Sequence, residues 1–333
     1  MSDQTLSSNE NQPFIKLNPD GSYTRTLSYP RSQPTADQDS NTPVLTKDLA
    51  INDVNKTWAR IHIPKESLAT TGPMAVKLPL VVYYHGGGFV LSNADSTVTH
   101  DLCDHLAEKL LAVVVNVDYR LAPEHRLPAA YDDGVEALHW IKKTNDPWLT
   151  NFADFSNCYL MGTSAGANLA YHAGLRLSQQ LVDLDPLEIK GLILHSPFIG
   201  GVGRTESEIR LDTDGTQQLT TSVTDLMWDL ALPVDSTRDH EYCNLLMGGS
   251  LDSMGRIKDV GWRMMVTGRY SDLMIDRQMG FVKSLELKGV ECKCFYGEGE
   301  HGVEYFDKSK ATELSDEISS FMSSIHVNKH ERC

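Results

Sequence analysis

The sequence lacks any cluster of basic side chains. Its 333 residues include 30 lysines and arginines against 45 aspartates and glutamates, so the formal net charge is −15. Proteins that bind nucleic acids concentrate positive charge on one surface to neutralise phosphate groups. The composition therefore predicts that no nucleic acid is a partner.

Long hydrophobic runs are also missing. Residues 1–18 are mostly polar and lack the apolar stretch of a signal peptide, and no window approaches the roughly 18 apolar residues of a membrane span. These absences predict a cytoplasmic protein with no membrane partner. Because 41% of the residues are hydrophobic, the chain has enough apolar surface for one large domain. We expect residues 1–333 to form this single domain, as a monomer or a weak dimer.

The cysteines show neither C-x-x-C pairs nor the spacing of a disulfide framework. Cys292 and Cys294 would lie on one face of a strand with no histidine nearby, which is typical of ordinary strand residues. We therefore predict free thiols and no metal ion. The cysteines are Cys103, Cys158, Cys243, Cys292, Cys294 and Cys333.

Apolar runs alternate with segments of helical periodicity along most of the chain. This alternation predicts an α/β fold with a mostly parallel central sheet flanked by helices. The predicted strands are 59–63, 80–84, 113–117, 158–161, 192–195, 264–267 and 292–296. The predicted helices are 98–110, 129–143, 165–177, 274–288 and 311–325. Two segments interrupt the pattern, about 1–45 and about 200–251, and the second contains a predicted helix near 222–231.

Ser164 lies in the sequence Gly-Thr-Ser-Ala-Gly, between a strand-like run and a helix-forming run. G-x-S-x-G is the pattern of a nucleophile elbow, a strand-to-helix turn so sharp that glycines must flank the serine. A helix N-cap would explain the serine alone but not the two glycines. The pattern predicts that Ser164 is a nucleophile.

A glycine-rich loop, His-Gly-Gly-Gly at 85–88, follows another predicted strand. Such a loop presents backbone N–H groups to the oxyanion that develops during acyl transfer. A loop that is merely flexible would not be expected directly after a buried strand. The sequence therefore predicts an oxyanion loop.

The partners of the serine are expected in later strand-end loops. His301 follows the last predicted strand in a glycine-rich loop, where it can act as a general base. Asp272 and Asp276 follow the strand 264–267 one helical turn apart, and spacing alone allows either to be the acid. Functional groups gather beyond the carboxyl ends of parallel strands, so residues this remote in sequence can converge.

Four motifs lie at 85–89 (His-Gly-Gly-Gly-Phe), 118–125 (Asp-Tyr-Arg-Leu-Ala-Pro-Glu-His), 162–168 (Gly-Thr-Ser-Ala-Gly-Ala-Asn) and 271–278 (Ser-Asp-Leu-Met-Ile-Asp-Arg-Gln). Together the chain resembles the plant carboxylesterases of the hormone-sensitive-lipase-like branch of the α/β-hydrolase superfamily. Shorter similarities at 18–21, 44–48, 148–155 and 239–244 extend the resemblance over most of the chain. It implies the α/β-hydrolase fold and ester hydrolysis, but it does not specify the ester.

The resemblance also implies roles for individual residues. It places the acid at Asp272, where Ser271 and Leu273 replace the usual glycine and proline, and leaves Asp276 as a helix-start charge favoured by the macrodipole. Thr163 stands where an acidic residue is common. The implied oxyanion N–H donors are Gly87, Gly88 and Ala165.

In this family, segments placed like 1–45 and 200–251 fold into a helical cap over the active site. The cap would select the acyl or alcohol group of the ester. The motif at 118–125 carries no obvious reacting group, and we interpret it as a brace behind the oxyanion loop, with Arg120 paired to Glu124. Candidates for an apolar substrate pocket, for which core packing is the alternative, are Phe89, Phe198, Met227 and Trp228.

The sequence thus predicts a carboxylesterase that forms an acyl-enzyme and needs no cofactor. Its partner would be a small-molecule ester, small to medium in size and apolar or aromatic. Two other functions stay open. One is a lyase or cyclase of specialised metabolism that reuses the hydrolase pocket. The other is a ligand-binding protein resembling the plant gibberellin receptors, which lack the catalytic histidine that His301 would supply here.

Overall fold

The computed structural model describes residues 14–37, 39–68, 76–180, 183–212 and 219–327. Parts of the predicted cap (1–13, 38 and 213–218) and Cys333 lie outside the described residues. The strands are β1 Ile15–Leu17, β2 Tyr23–Arg25, β3 Val44–Asn52, β4 Thr57–Pro64, β5 Leu78–Tyr84, β6 Val113–Asp118, β7 Ala153–Thr163, β8 Ile189–His195, β9 Arg263–Arg269 and β10 Cys292–Gly297.

The helices follow the strands in the expected alternation. They are α1 Lys65–Leu68, α2 Thr97–Leu110, α3 Ala129–Lys143, α4 Pro147–Phe152, α5 Ala165–Gln180, α6 Glu206–Leu211, α7 Thr221–Ala231, α8 Gly248–Ser253, α9 Arg256–Asp259, α10 Ile275–Leu287 and α11 Lys308–Val327, with a 3₁₀ turn at Val303–Tyr305. In the described ranges, no helix combines the length and the apolar character needed to cross a bilayer.

Eight strands form one sheet in the order β10-β9-β8-β7-β5-β6-β4-β3. The pairs from β10 to β6 are parallel, whereas β4 and β3 pair antiparallel at one edge. Side chains alternate between the two faces of a strand, and β5 shows the result. Leu80 and Val82 join the core on the side of α3 and α5, while Val81 and Tyr83 join the core on the side of α2 and α11. The predicted α/β architecture is confirmed.

Every predicted strand and helix is present, and the largest shift is at the start of β7, which begins at Ala153 and not at 158. The sequence pattern did not predict the strands β1, β2 and β3 or the short helices α1, α4, α6, α8 and α9. The strand β3 lies at the edge of the sheet and carries Lys47 and Asp48 in its middle, with Asp48 exposed. An edge strand of this kind lacks the continuous apolar run by which the buried parallel strands were recognised. The segment proposed as the first part of a cap therefore ends where β3 begins.

The two segments that interrupt the alternation contact the loops at the carboxyl ends of the strands. The Arg25 guanidinium, at the end of β2, donates to the backbone oxygens of Val90 (2.6 Å) and Ala122 (2.8 Å). The Arg126 guanidinium donates to the backbone oxygen of Leu232, directly after α7, at 2.6 Å. Both segments are thus attached to the loops that follow β5 and β6.

The predicted Arg120–Glu124 brace is wrong. Arg120 donates instead to both carboxylate oxygens of Asp133 on α3, through Nε (2.9 Å) and Nη2 (2.6 Å). Glu124 turns outward and pairs with Arg25 at 2.7 Å. Asp133 is buried and also accepts from the Arg120 backbone N–H, so it supplies a complete bidentate partner that the nearer glutamate does not.

These two ion pairs make a matched comparison. Asp133→Ala leaves the Arg120 guanidinium without its partner in a mostly buried setting, and we expect the free energy of unfolding to fall by about 3 kcal/mol. Glu124→Ala removes an exposed partner, and we expect a loss below about 1 kcal/mol. Urea unfolding followed by circular dichroism measures both. A larger loss for Glu124→Ala would contradict the pairing described above.

Candidate active site

Ser164 stands at the turn between β7 and α5. Its φ of 57° lies in the left-handed region, which non-glycine residues rarely adopt outside functional turns. A Cβ atom on Gly162 would lie 2.1 Å from the backbone oxygen of Gly166, and one on Gly166 would lie 1.9 Å from that of Tyr84. Since neither position has room for a side chain, both glycines are required for this turn.

The three side chains predicted as a triad come together at this turn. Nε2 of His301 lies 2.9 Å from Oγ of Ser164, and Nδ1 lies 2.7 Å from Oδ2 of Asp272. The carboxylate of Asp272 is buried and accepts two further hydrogen bonds, from the backbone N–H of Met274 and from Nε2 of Gln278, both at 2.9 Å. Asp272 is therefore held as a fixed acceptor for the imidazole.

The two candidate acids have different partners. Asp272 contacts His301, whereas Oδ2 of Asp276, in the first turn of α10, accepts from the backbone N–H of Ser207 at 2.7 Å. Gln278 belongs to the same motif but was given no role from sequence. Its amide reaches Asp272 because α10 begins at Ile275, shortly after the acid.

The charged form of His301 is favoured at this site. Burial lowers the pKa of His301, but the charge of Asp272 and the hydrogen bond to it, with a contribution from Glu304, outweigh burial. The result is a pKa above the ordinary value of 6.5. The site thus supports an imidazole that can accept a proton and hold it.

The predicted oxyanion loop lies beside Ser164. A Cβ on Gly86 would be 3.4 Å from the Cβ of Ser164, and a Cβ on Gly87 would be 2.1 Å from the backbone oxygen of Leu91. Gly87 and Gly88 have φ values of 115° and 62°, a conformation that glycine adopts readily. The first N–H groups of a helix have no intrahelical acceptor, and the N–H that begins α5 is one of them.

The motif at 118–125 supports this loop from behind. The hydroxyl of Tyr119 donates to the backbone oxygen of His85 at 2.7 Å, and the two rings stack at 4.3 Å. The backbone N–H of Ala122 donates to the backbone oxygen of Phe89 at 2.8 Å. The expected position of the motif is therefore right, although its ion pair is different.

The hydroxyl of Thr163, the residue before the nucleophile, forms a hydrogen bond behind the turn. Its Oγ1 accepts from the hydroxyl of Tyr83 at 2.8 Å, and the Tyr83 hydroxyl oxygen lies 3.5 Å from that of Tyr305. Burial raises the pKa of Tyr305 to about 12, so this phenol remains protonated. A chain of neutral hydroxyls thus lies directly behind the nucleophile turn.

The four pocket candidates lie together next to the oxyanion loop. The rings of Phe198 and Trp228 stack at 4.4 Å, and the ring of Phe89 lies 5.9 Å from that of Trp228. A Cβ on Gly88 would lie 2.2 Å from Sδ of Met227, so this methionine packs directly on the loop. All four side chains are buried in the structure.

Among the described residues, one group has the composition of a metal site, and it lies on β4 and α2. Potential ligand atoms of His62, His100 and Asp104 all fall within 4.8 Å of one another. Nη1 of Arg60 lies 3.3 Å from Nδ1 of His100. A guanidinium this close repels a second cation. Because the guanidinium can only donate, His100 Nδ1 carries no proton on the side that faces Arg60. The group is therefore better described as a partly buried hydrogen-bonded cluster.

Comparison with known proteins agrees with this geometry. The profile described as alpha/beta hydrolase fold matches residues 81–304. Carboxylesterase 20 of Arabidopsis thaliana is 49% identical over 313 residues, which cover 93% of this chain and 95% of that one. The chain belongs to the plant carboxylesterase family. A 3-O-acetylpapaveroxine carboxylesterase of Papaver somniferum is 47% identical over 287 residues, or 83% of this chain and 90% of that one.

A solved esterase from Pyrobaculum calidifontis has the same fold. It superposes with a TM-score of 0.69 at 26% identity and covers 86% of this chain and 87% of that one. The family and the fold class predicted from sequence are thus confirmed. So is the prediction that the protein is an enzyme, a carboxylesterase.

The contacts of the two aspartates can be tested without measuring activity. In Asp272→Asn we expect the pKa of His301 to fall, because the carboxylate that stabilises the imidazolium is gone. Asp276→Asn, one helical turn away, should leave this pKa unchanged. NMR titration of histidine-labelled protein between about pH 4 and pH 9 covers the range over which histidines titrate. An equal fall in both variants would show that His301 does not depend on Asp272.

Proposed function

We propose that the protein hydrolyses carboxylic esters with Ser164 as nucleophile, His301 as general base and acid, and Asp272 as the acid of the triad. The continuous hydrogen-bonded chain from Asp272 through His301 to Ser164 carries this proposal. The proposed oxyanion donors are the backbone N–H groups of Gly87, Gly88 and Ala165. Each such donor typically contributes about 3 kcal/mol to stabilising the transition state.

The proposed reaction has two stages. Oγ of Ser164 attacks the ester carbonyl carbon while Nε2 of His301 takes the hydroxyl proton, and the carbonyl oxygen becomes an oxyanion held by the loop. The bond to the alcohol oxygen then breaks, and the alcohol leaves with the proton from His301. In the second stage His301 takes a proton from water, and the resulting hydroxide attacks the acyl group. The bond between the acyl carbon and Oγ then breaks, Oγ takes the proton back from His301, and free Ser164 and a carboxylic acid are released.

Asp272 has a positioning and an electrostatic part in both stages. Its hydrogen bond to Nδ1 fixes the tautomer in which Nε2 is free to accept, and its charge stabilises the imidazolium. The contacts from Met274 and Gln278 keep the carboxylate from rotating away. Every step uses groups of the protein, the ester and water, so the scheme requires no cofactor.

The proposed substrates are small to medium esters with apolar or aromatic groups. Met227 fills the space against Gly88, and the stacked rings of Phe198 and Trp228 lie beside it, which favours a short group on this side of the ester. The poppy relative is named for an acetyl ester, which is in line with this size limit. We propose that residues up to about 45 and about 200–251 contribute the walls that choose the ester.

The departures from the family motifs do not favour a lyase or cyclase. Thr163 is satisfied by the Tyr83 hydroxyl. Ser271 and Leu273, which replace a glycine and a proline, do not disrupt the turn. The backbone N–H of Asp272 donates to the backbone oxygen of Arg269 at 2.9 Å, and the carboxylate contacts the imidazole. A receptor would need no such chain of contacts.

The nucleophile can be identified directly. Ser164→Ala should lower kcat for p-nitrophenyl acetate by about 10⁴- to 10⁶-fold, because triad members act as one unit. A fluorophosphonate should label the parent protein at Ser164 and fail to label this variant. Ser309→Ala, on the exposed start of α11, is the matched control and should keep both properties. Turnover like that of the parent in folded Ser164→Ala would refute the mechanism.

Ester selectivity tests the pocket. Trp228→Ala removes a large ring beside the oxyanion loop and should change the ratio of kcat/KM for bulky over acetyl esters by about 10- to 200-fold. Asp229→Ala, the exposed neighbour on α7, should leave the ratio unchanged. A series of p-nitrophenyl esters of increasing chain length gives the ratio. If Trp228→Ala leaves it unchanged, this residue serves only core packing.

A further inference from the structure

We propose that Glu304, Arg269 and His195 form a buried ionic network that positions the three loops carrying Ser164, Asp272 and His301. We call these three residues the rear network. They are positioning residues, since they act through the triad side chains. The inference deepens the proposed function and rests on it.

The rear network is a continuous set of contacts among buried side chains. Nε of Arg269 donates to Oε1 of Glu304 at 2.6 Å. Oε2 of the same carboxylate lies 3.1 Å from Nε2 of His195, whose Nδ1 lies 2.6 Å from Oγ1 of Thr267. The side chains of Arg269, Glu304 and His195 are each only 1% exposed.

The backbone of each member of the rear network is linked to the loop of one triad residue, either by a hydrogen bond or by the chain itself. The N–H of Ser164 donates to the backbone oxygen of His195 at 2.9 Å, and the N–H of Asp272 donates to that of Arg269 at 2.9 Å. Glu304 lies on the 3₁₀ turn that follows His301. The ends of β8 and β9 and the loop after β10 are therefore joined through one carboxylate.

The chemistry of this carboxylate points to function as well as stability. Removing charges from water is costly, and well-packed apolar residues commonly stabilise a core as well as a buried ion pair does. A charge-assisted hydrogen bond, such as that from Arg269 to Glu304, has a directional requirement that apolar contacts lack. The three strand ends must be positioned to within a fraction of an ångström of one another, and directional hydrogen bonds can hold them at that precision.

Glu304 also affects the charge of the catalytic imidazole. Burial raises the pKa of Glu304, but the interactions with His195 and Arg269 lower it by more. The pKa is about 2, so the carboxyl group is ionised. Its negative charge helps to raise the pKa of His301. The titratable and charged groups around it are His195 from β8, Arg269 from β9 and His301 from its own loop. On the far side of Arg269, α11 supplies Glu313 and Lys310.

The test compares Glu304→Gln with Glu313→Gln. The first change removes the central charge but keeps the size of the side chain. The second removes the other carboxylate on Arg269, which lies outside the rear network and is 38% exposed. The readout is the rate at which a fluorophosphonate labels Ser164, measured across pH together with kcat and KM for p-nitrophenyl acetate.

For Glu304→Gln we expect labelling and kcat to fall about 10- to 100-fold, the scale of a small misplacement of reacting groups, with KM nearly unchanged. Labelling needs neutral His301, so its rate drops as pH falls through that pKa. Without the Glu304 charge this drop should move to lower pH, a shift that a purely structural role would not produce. Glu313→Gln should match the parent.

The outcomes separate this inference from the proposed function. If the parent is not labelled at Ser164, the proposed function fails. If the parent is labelled and folded Glu304→Gln is labelled at the same rate with the same pH dependence, only the rear network is refuted. An equal loss in Glu313→Gln would refute it as well.

Should Glu304→Gln not fold, His195→Asn removes the contact between Glu304 and the end of β8 while keeping the Arg269–Glu304 pair. A labelling rate like that of the parent in His195→Asn would then refute the inference.

Discussion

The close approach between the start of α5 and the end of β5 is the constraint on which the active site depends. A Cβ on Gly166 would lie 1.9 Å from the backbone oxygen of Tyr84, so helix and strand touch backbone to backbone. Tyr84 is the last residue of β5, and the oxyanion loop begins at the next position. One contact thus fixes Ser164 at the top of its turn and sets the distance between Ser164 and the oxyanion loop. Close packing of this kind leaves little freedom for either group to drift.

Much of this arrangement could be predicted from sequence because it depends on local geometry. Gly162 and Gly166 are dictated by the turn itself, so the nucleophile position can be recognised within a few residues. The buried parallel strands show continuous apolar runs, and the helices that cover them show helical periodicity. Asp272 required more than spacing, since Asp276 has the same separation from the strand. The family resemblance favoured Asp272, and the contacts of the two carboxylates, with His301 and with Ser207, now distinguish their positions.

The features that sequence reasoning missed depend on contacts between distant segments. Arg120 has an acidic neighbour in Glu124, yet it pairs with Asp133, because α3, which follows the motif, places Asp133 against Arg120. Glu304 lies three residues from His301 and carried no recognisable pattern. Its partners come from two other strands, and their proximity follows from the strand order rather than from any local signal. The edge strand β3 was missed for a related reason, since its burial depends on what covers each face.

The contacts of Asp276 have a consequence for how new specificities can arise on this scaffold. Asp276 accepts from the backbone of Ser207, and Arg277 donates to Glu208 at 2.5 Å, so α6 of the 200–251 insertion is attached to the first turn of α10. That turn begins directly after the loop that carries Asp272. An insertion transplanted from a relative would arrive without matching partners unless positions 276 and 277 came with it. On this scaffold the insertion and the start of α10 would therefore have to be exchanged together.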